Sequence, residues 1–100
     1  MSQDMDATEQ GAQAAIRLRE EQFDAMTSLL GYGNDTTRAK LIGVWPKTVR
    51  RAREGIIGER FMAQTVAALG QHADRLAEYN LRPTLNDLFE VVSARADQAA

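Results

Sequence analysis

TTRAKLIGVWPKTVRRAREG, residues 36–55, is the stretch whose reading decides the fold. It reads as two short helices joined by a tight turn, the second strongly basic. Ala39, Leu41 and Ile42 are the apolar positions of the first helix, and Asp35 or Thr36 is its expected N-cap. Gly43 ends it, and Gly43-Val44-Trp45-Pro46 forms the turn. Pro46 suits the first position of the next helix, where a missing N–H costs nothing and the fixed φ is already helical. That helix runs to about Glu54, with Gly55 as its stop. Ala39 is small where the two helices cross closely, while Val44 and Val49 face inward and fix the angle between them.

Charge is unevenly spread around this unit. From Arg38 to Arg53 stand six basic residues (Arg38, Lys40, Lys47, Arg50, Arg51, Arg53) and no acidic one. Residues 36–60 hold seven Lys/Arg against Glu54 and Glu59, whereas the rest of the chain holds five basic and twelve acidic residues. A net charge of −2 therefore hides a cationic patch, the footprint of a face that meets a polyanion. Screening over roughly 8 Å at physiological salt hides distant carboxylates from such a face.

Outside the patch the periodicity is helical. Residues 1–10 are polar and read as a flexible leader. Ile16, Phe23, Met26 and Leu30 recur at helical spacing and predict one helix over about residues 11–30, stopped by Gly31-Tyr32-Gly33-Asn34. Ile56-Ile57-Gly58 connects to a fourth helix from Glu59, with an apolar stripe of Met62, Val66, Leu69, Ala73 and Leu76. A break at Gly70 stays open, although the stripe favours continuity to about Tyr79. Asn80 and Pro83 end that helix, and Thr84 caps a short one from Leu85 to Phe89. Glu90-Val91-Val92 are open to an extended conformation, and residues 93–100 read as a flexible tail. The domain thus spans residues 11–92, with the two-helix unit at about 36–54.

Composition excludes several classes. The chain of 100 residues is one domain. It has no cysteine and one histidine, His72, which reads as a helix-surface residue, so neither a disulfide nor a metal cluster is expected. No apolar run is long enough to span a bilayer, and the acidic N-terminus is unlike a signal peptide, so a cytoplasmic protein is expected. Gly31-Tyr32-Gly33 lacks the Gly-Lys-Ser/Thr ending of a phosphate-binding loop. Glu20, Glu21 and Asp24 sit beside Arg17 and Arg19 and read as ordinary helix-surface ion pairs. No nucleophile–base set or cofactor fingerprint is present. An enzyme is not expected, nor a cofactor.

Ala39, Gly43-Val44, Trp45, Pro46-Lys47, Thr48-Val49-Arg50-Arg51 and Gly55 follow the spacing of a known motif. This unit resembles the helix-turn-helix of the Cro/repressor-like (XRE-type) transcriptional regulators. MAQTVAALG and LNDLFEVV are similar to that family's fourth and closing helices, so the resemblance covers about residues 23–92. It implies an all-α, compact five-helix domain with the second helix of the unit in a DNA major groove. The base-reading positions then fall at Pro46, Lys47 and Arg50, with Trp45 at the entrance. Arg51, Arg53 and Arg38 suit phosphate, as do the first-turn N–H groups around Thr36 and Thr37. The chain departs from the family in three places. Trp45 replaces a small polar N-cap, Arg38 stands where an apolar residue is normally buried, and Asp35-Thr36 replace a phosphate-contacting glutamine. For Trp45 the core, a stack on sugar or base, and a protein contact all remain open.

The function implied is sequence-specific binding of double-stranded DNA by a small transcriptional regulator, a repressor of bacterial or phage type, nucleoid-associated when bound. A homodimer through Leu76, Tyr79 or the segment 88–92 would read a palindromic operator. The alternative is a helical protein-interaction module, an adaptor or antitoxin-like partner, that uses the acidic helices and the apolar C-terminal segment.

Overall fold

A computed structural model describes residues 14–93. In chain order these form β1 (Ala14–Leu18), α1 (Glu20–Leu29), α2 (Asp35–Ile42), α3 (Pro46–Arg53), α4 (Glu59–Gly70), α5 (Ala73–Ala77), α6 (Leu85–Leu88) and β2 (Phe89–Ser93). The expected leader at 1–10 and residues 94–100 of the expected tail lie outside the described residues.

The fold is not all-α. β1 and β2 pair as a two-stranded antiparallel sheet in which Leu18 stands opposite Phe89, Ile16 opposite Val91 and Ala14 opposite Ser93. The single helix expected over residues 11–30 is therefore a strand followed by α1, and the extended option at Glu90-Val91-Val92 is the one adopted. The seven-residue interval between Ile16 and Phe23 suits a helix, but Ile16 and Leu18 also alternate with period two. The β-branched partner strand decides between them, because Leu18 and Phe89 must both reach the core from one face of the pair. Arg19 secures the junction three ways. Its N–H donates to Leu88 O at 2.8 Å, its Nε donates to Asn86 O at 3.0 Å, and its guanidinium lies 3.4 Å from Glu90.

The core gathers residues from every element: Leu18, Phe23, Met26, Ala39, Ile42, Val49, Ala52, Phe61, Leu69, Leu76, Leu88 and Phe89. Phe61 links two sides of it, 6.5 Å from the Phe23 ring and 6.1 Å edge-on from the Phe89 ring. On α4 the buried stripe is Phe61-Thr65-Leu69, with Met62 and Val66 at its margin. The favoured continuity of this helix is not found. After Gly70 the N–H groups of Gln71 and His72 bond three residues back, to Ala68 O and Leu69 O, and α5 starts as a separate helix at Ala73. The break turns Leu76 fully into the core. Leu76, Leu88 and Phe89 are thus interior residues and not dimer contacts, whereas Tyr79 and Val91 are exposed.

Thr65 is completely buried, and its hydroxyl has no partner among the described residues. A buried unbonded hydroxyl costs on the order of 1 kcal/mol, and valine has nearly the same shape. Thr65→Val is expected to raise Tm by about 4–8 °C, the shift that 1 kcal/mol gives in a domain of this size. A thermal scan in which Tm falls contradicts this account of the α4 core.

Candidate nucleic-acid interface

α2, the turn and α3 are the two short helices and tight turn expected over residues 36–55. Asn34, one residue before the expected caps, closes a capping box on α2: its Oδ1 accepts from Thr37 N–H at 2.9 Å while Thr37 Oγ1 faces the Asn34 N–H. Gly43 ends α2 in the left-handed conformation at φ 88°, and the N–H groups of Gly43 and Val44 both return to Ala39 O. A Cβ at Gly43 would come within 3.1 Å of Gln64 Nε2. That amide donates to Ile42 O and Gly43 O at 3.0 and 3.3 Å, so α4 reaches back to finish the end of α2. Trp45 is the N-cap of α3 without a side-chain cap, and Pro46 follows at the first helical position.

α3 buries Val49 and Ala52 and leaves Pro46, Lys47, Arg50 and Arg51 exposed. Lys47, Arg50 and Arg51 lie at i, i+3 and i+4, which is one face of a helix. Trp45 is 77% exposed at the start of this face and so is not core. Among the described residues none of the three cations is paired with a carboxylate.

Arg38 and Arg53, both expected at phosphate, are placed otherwise. Arg53 turns from α3 towards α1 and α2. Its Nε and Nη2 donate to the two Asp35 oxygens at 3.0 and 2.8 Å, Nη2 also donates to Asp24 at 2.6 Å, and Nη1 donates to Glu20 at 2.9 Å. Its guanidinium carbon also sits 5.5 Å from the centre of the Phe23 ring. Arg38 is only 8% exposed. It donates to Thr27 Oγ1 at 2.7 Å, to Ser28 Oγ at 3.0 Å and to Asp35 at 3.2 Å. Thr27 in turn donates to Phe23 O at 2.8 Å, which ties this network back to α1. These bonds hold Asp35 below the usual carboxylate range, Arg53 being the larger cause ahead of Arg38. Asp35 and Asp24 in return hold the Arg53 guanidinium charged well above its ordinary range.

The network sorts the cations by role. Two are spent on clamping α1, α2 and α3 together, while Lys40, Lys47, Arg50, Arg51 and Arg60 face solvent. At the start of α2 the Thr37 N–H is taken by Asn34 and Asp35 adds a carboxylate, so only Thr36 keeps an exposed, uncommitted side chain there. Glu20 and Asp24, read from sequence as local pairs with Arg17 and Arg19, instead reach Arg53 on another helix.

Sequence reading missed Arg60 and Gln64. With Gly43, Val44, Trp45, Thr48 and Phe61 they line an open cleft of about 500 Å³ beside the turn. Arg60 Nε donates to Gln64 Oε1 at 2.6 Å. No local sequence signal marks this pair, because its position depends on how α4 packs against the turn.

Among the described residues there is no cluster of His, Cys, Asp or Glu able to hold a metal ion, and no helix long and apolar enough to cross a membrane. Comparison with protein-family models, with curated proteins and with solved structures finds no match.

Proposed function

We propose that this chain binds double-stranded DNA sequence-specifically through α3 and acts as a small transcriptional regulator of bacterial or phage type, a repressor working in the cytoplasm by occupying an operator. The observation that carries the reading is the sorting of cations: Arg38 and Arg53 are neutralised internally, while Lys47, Arg50 and Arg51 stand on one exposed face with no carboxylate partner among the described residues. An α-helix with its side chains is about 10–12 Å across, which fits the width of a major groove, about 12 Å. Arg50 is suited to bidentate contact with guanine, Lys47 to the same acceptors or to phosphate, and Arg51 to phosphate. The chain's resemblance to XRE-type regulators supports the same assignment.

The test is affinity selection from a random duplex pool at near-physiological salt. Enrichment of one motif is the expected result, and a palindrome would add a two-fold dimer with its α3 helices about 34 Å apart. About four phosphate contacts would lower affinity by about a hundredfold between 50 and 200 mM salt. A pool that shows neither enrichment nor salt dependence overturns the reading.

A second reading is favoured by one feature, a mainly apolar groove of about 420 Å³ lined by Met62, Ala63, Val66, Ala67 and Leu85, with Glu59 beside them. It suits a protein-interaction module, whose association would be nearly indifferent to the same change in salt.

A further inference from the structure

The cleft beside the turn has a make-up that differs from the rest of the basic face. Val44 and Phe61 give it apolar surface, Trp45 and Thr48 stand on the α3 side, and Arg60 supplies a cation from α4. Among the described residues no carboxylate lines it. The carbonyls of Ile42 and Gly43, which form the negative end of α2, are covered by the Gln64 amide. Gln64 Oε1 in turn accepts from Arg60 Nε, which holds the guanidinium at the rim and leaves its terminal nitrogens uncommitted among the described residues. An anion entering here meets a fixed cation and no exposed carbonyl end. An apolar ring entering with it meets the indole.

We propose that this cleft is a subsite for one sugar–phosphate unit of the DNA backbone: Arg60 takes the phosphate and the Trp45 indole packs on the adjoining deoxyribose. The proposal rests on the DNA-binding reading above and adds to it a residue outside the helix-turn-helix. Trp45 joins the two surfaces, since Pro46 and Lys47 of the reading face follow it directly. Its 77% exposure then serves a purpose that neither core packing nor capping explains. Arg60 sets the register of the backbone and Lys47 and Arg50 read what that register presents, the division of labour general to protein–DNA contacts.

Trp45 is the only tryptophan of the chain, so its emission reports on the cleft alone. The full chain is titrated with the duplex enriched by selection, followed by tryptophan emission and acrylamide quenching. Arg60→Ala, Arg60→Lys and Trp45→Ala are measured in parallel by anisotropy of the labelled duplex. The expected results are a blue shift with loss of quenching for wild type, and about tenfold weaker binding for Arg60→Ala with a salt slope shallower by about one. Arg60→Lys restores the slope. Trp45→Ala weakens binding about tenfold without altering the slope. A duplex carrying single methylphosphonate linkages should lose affinity at one position for wild type and lose nothing there for Arg60→Ala. Tight binding with unchanged emission and an unchanged slope in Arg60→Ala overturns the subsite and leaves the DNA-binding reading standing. Failure of wild type to bind any duplex overturns both.

Discussion

The double variant Lys47→Glu/Arg50→Glu is expected to lose specific duplex binding by at least about a hundredfold, with its Tm within a few degrees of wild type. Each base-edge contact is worth roughly 1–3 kcal/mol, so two removed together account for a loss of that size before repulsion of the phosphates is added. Stability should hold, because both side chains are exposed and neither is paired with a carboxylate among the described residues. Surface changes of this kind stay within about 0.5 kcal/mol. Anisotropy against the selected duplex checks the first part and a thermal scan the second. Retained affinity would show that α3 is not the reading element. A large drop in Tm would show that these side chains serve the fold instead.

Arg53→Ala should give the opposite pattern. Its guanidinium, with the side chain 20% exposed, bridges Glu20, Asp24 and Asp35, and its removal leaves three carboxylates facing one another. The expected cost is about 2 kcal/mol, between the value of an exposed ion pair and that of a broken buried one, or about 10 °C in Tm. The salt slope of DNA binding by the folded fraction should not change, whereas a phosphate-contacting Arg53 would flatten it by about one. Acidity separates charge from packing in this variant. Asp35 has its folded pKa depressed below its ordinary 3.8, so its contribution is fully present above about pH 4 and is lost as pH falls through the lower folded value. The stability gap between wild type and Arg53→Ala should therefore narrow as the pH drops below about 4. A gap that stays constant through that window would mean that Arg53 acts by packing on Phe23 and not by holding Asp35.

The two short helices and their turn were legible because their signals are local. Ala39, Gly43, Pro46 and Gly55 each act through neighbours within a few positions, and α2, the turn and α3 begin and end where those residues require. Thr84 likewise caps α6 by accepting the Asp87 N–H, as expected. What escaped was set by distant partners. The strand character of Ala14–Leu18 depends on Phe89–Ser93, and nothing near residue 14 announces it. The same holds for the core and the site. Leu76 is buried because α4 breaks at Gly70, which the stripe of apolar residues did not reveal. Counting charge gave the sign of the patch correctly, but could not separate Arg53, which reaches back to α1, from Arg51 two positions earlier, which faces solvent. Arg38 was expected at phosphate, and its burial is explained by the Thr27, Ser28 and Asp35 acceptors that a buried guanidinium requires.

The β1–β2 ribbon also orders events in time. The Arg19–Asn86 bond beside it joins positions 67 apart in sequence, whereas the capping box and the Gly43 turn close over five positions or fewer. During synthesis from the N-terminus, residues 14–18 must wait unpaired while every helix of the domain emerges, and Leu18 gains its cover only when Phe89 arrives. The exposed basic face of α3 is thus assembled early from near neighbours, and the clasp that locks the domain around it closes last.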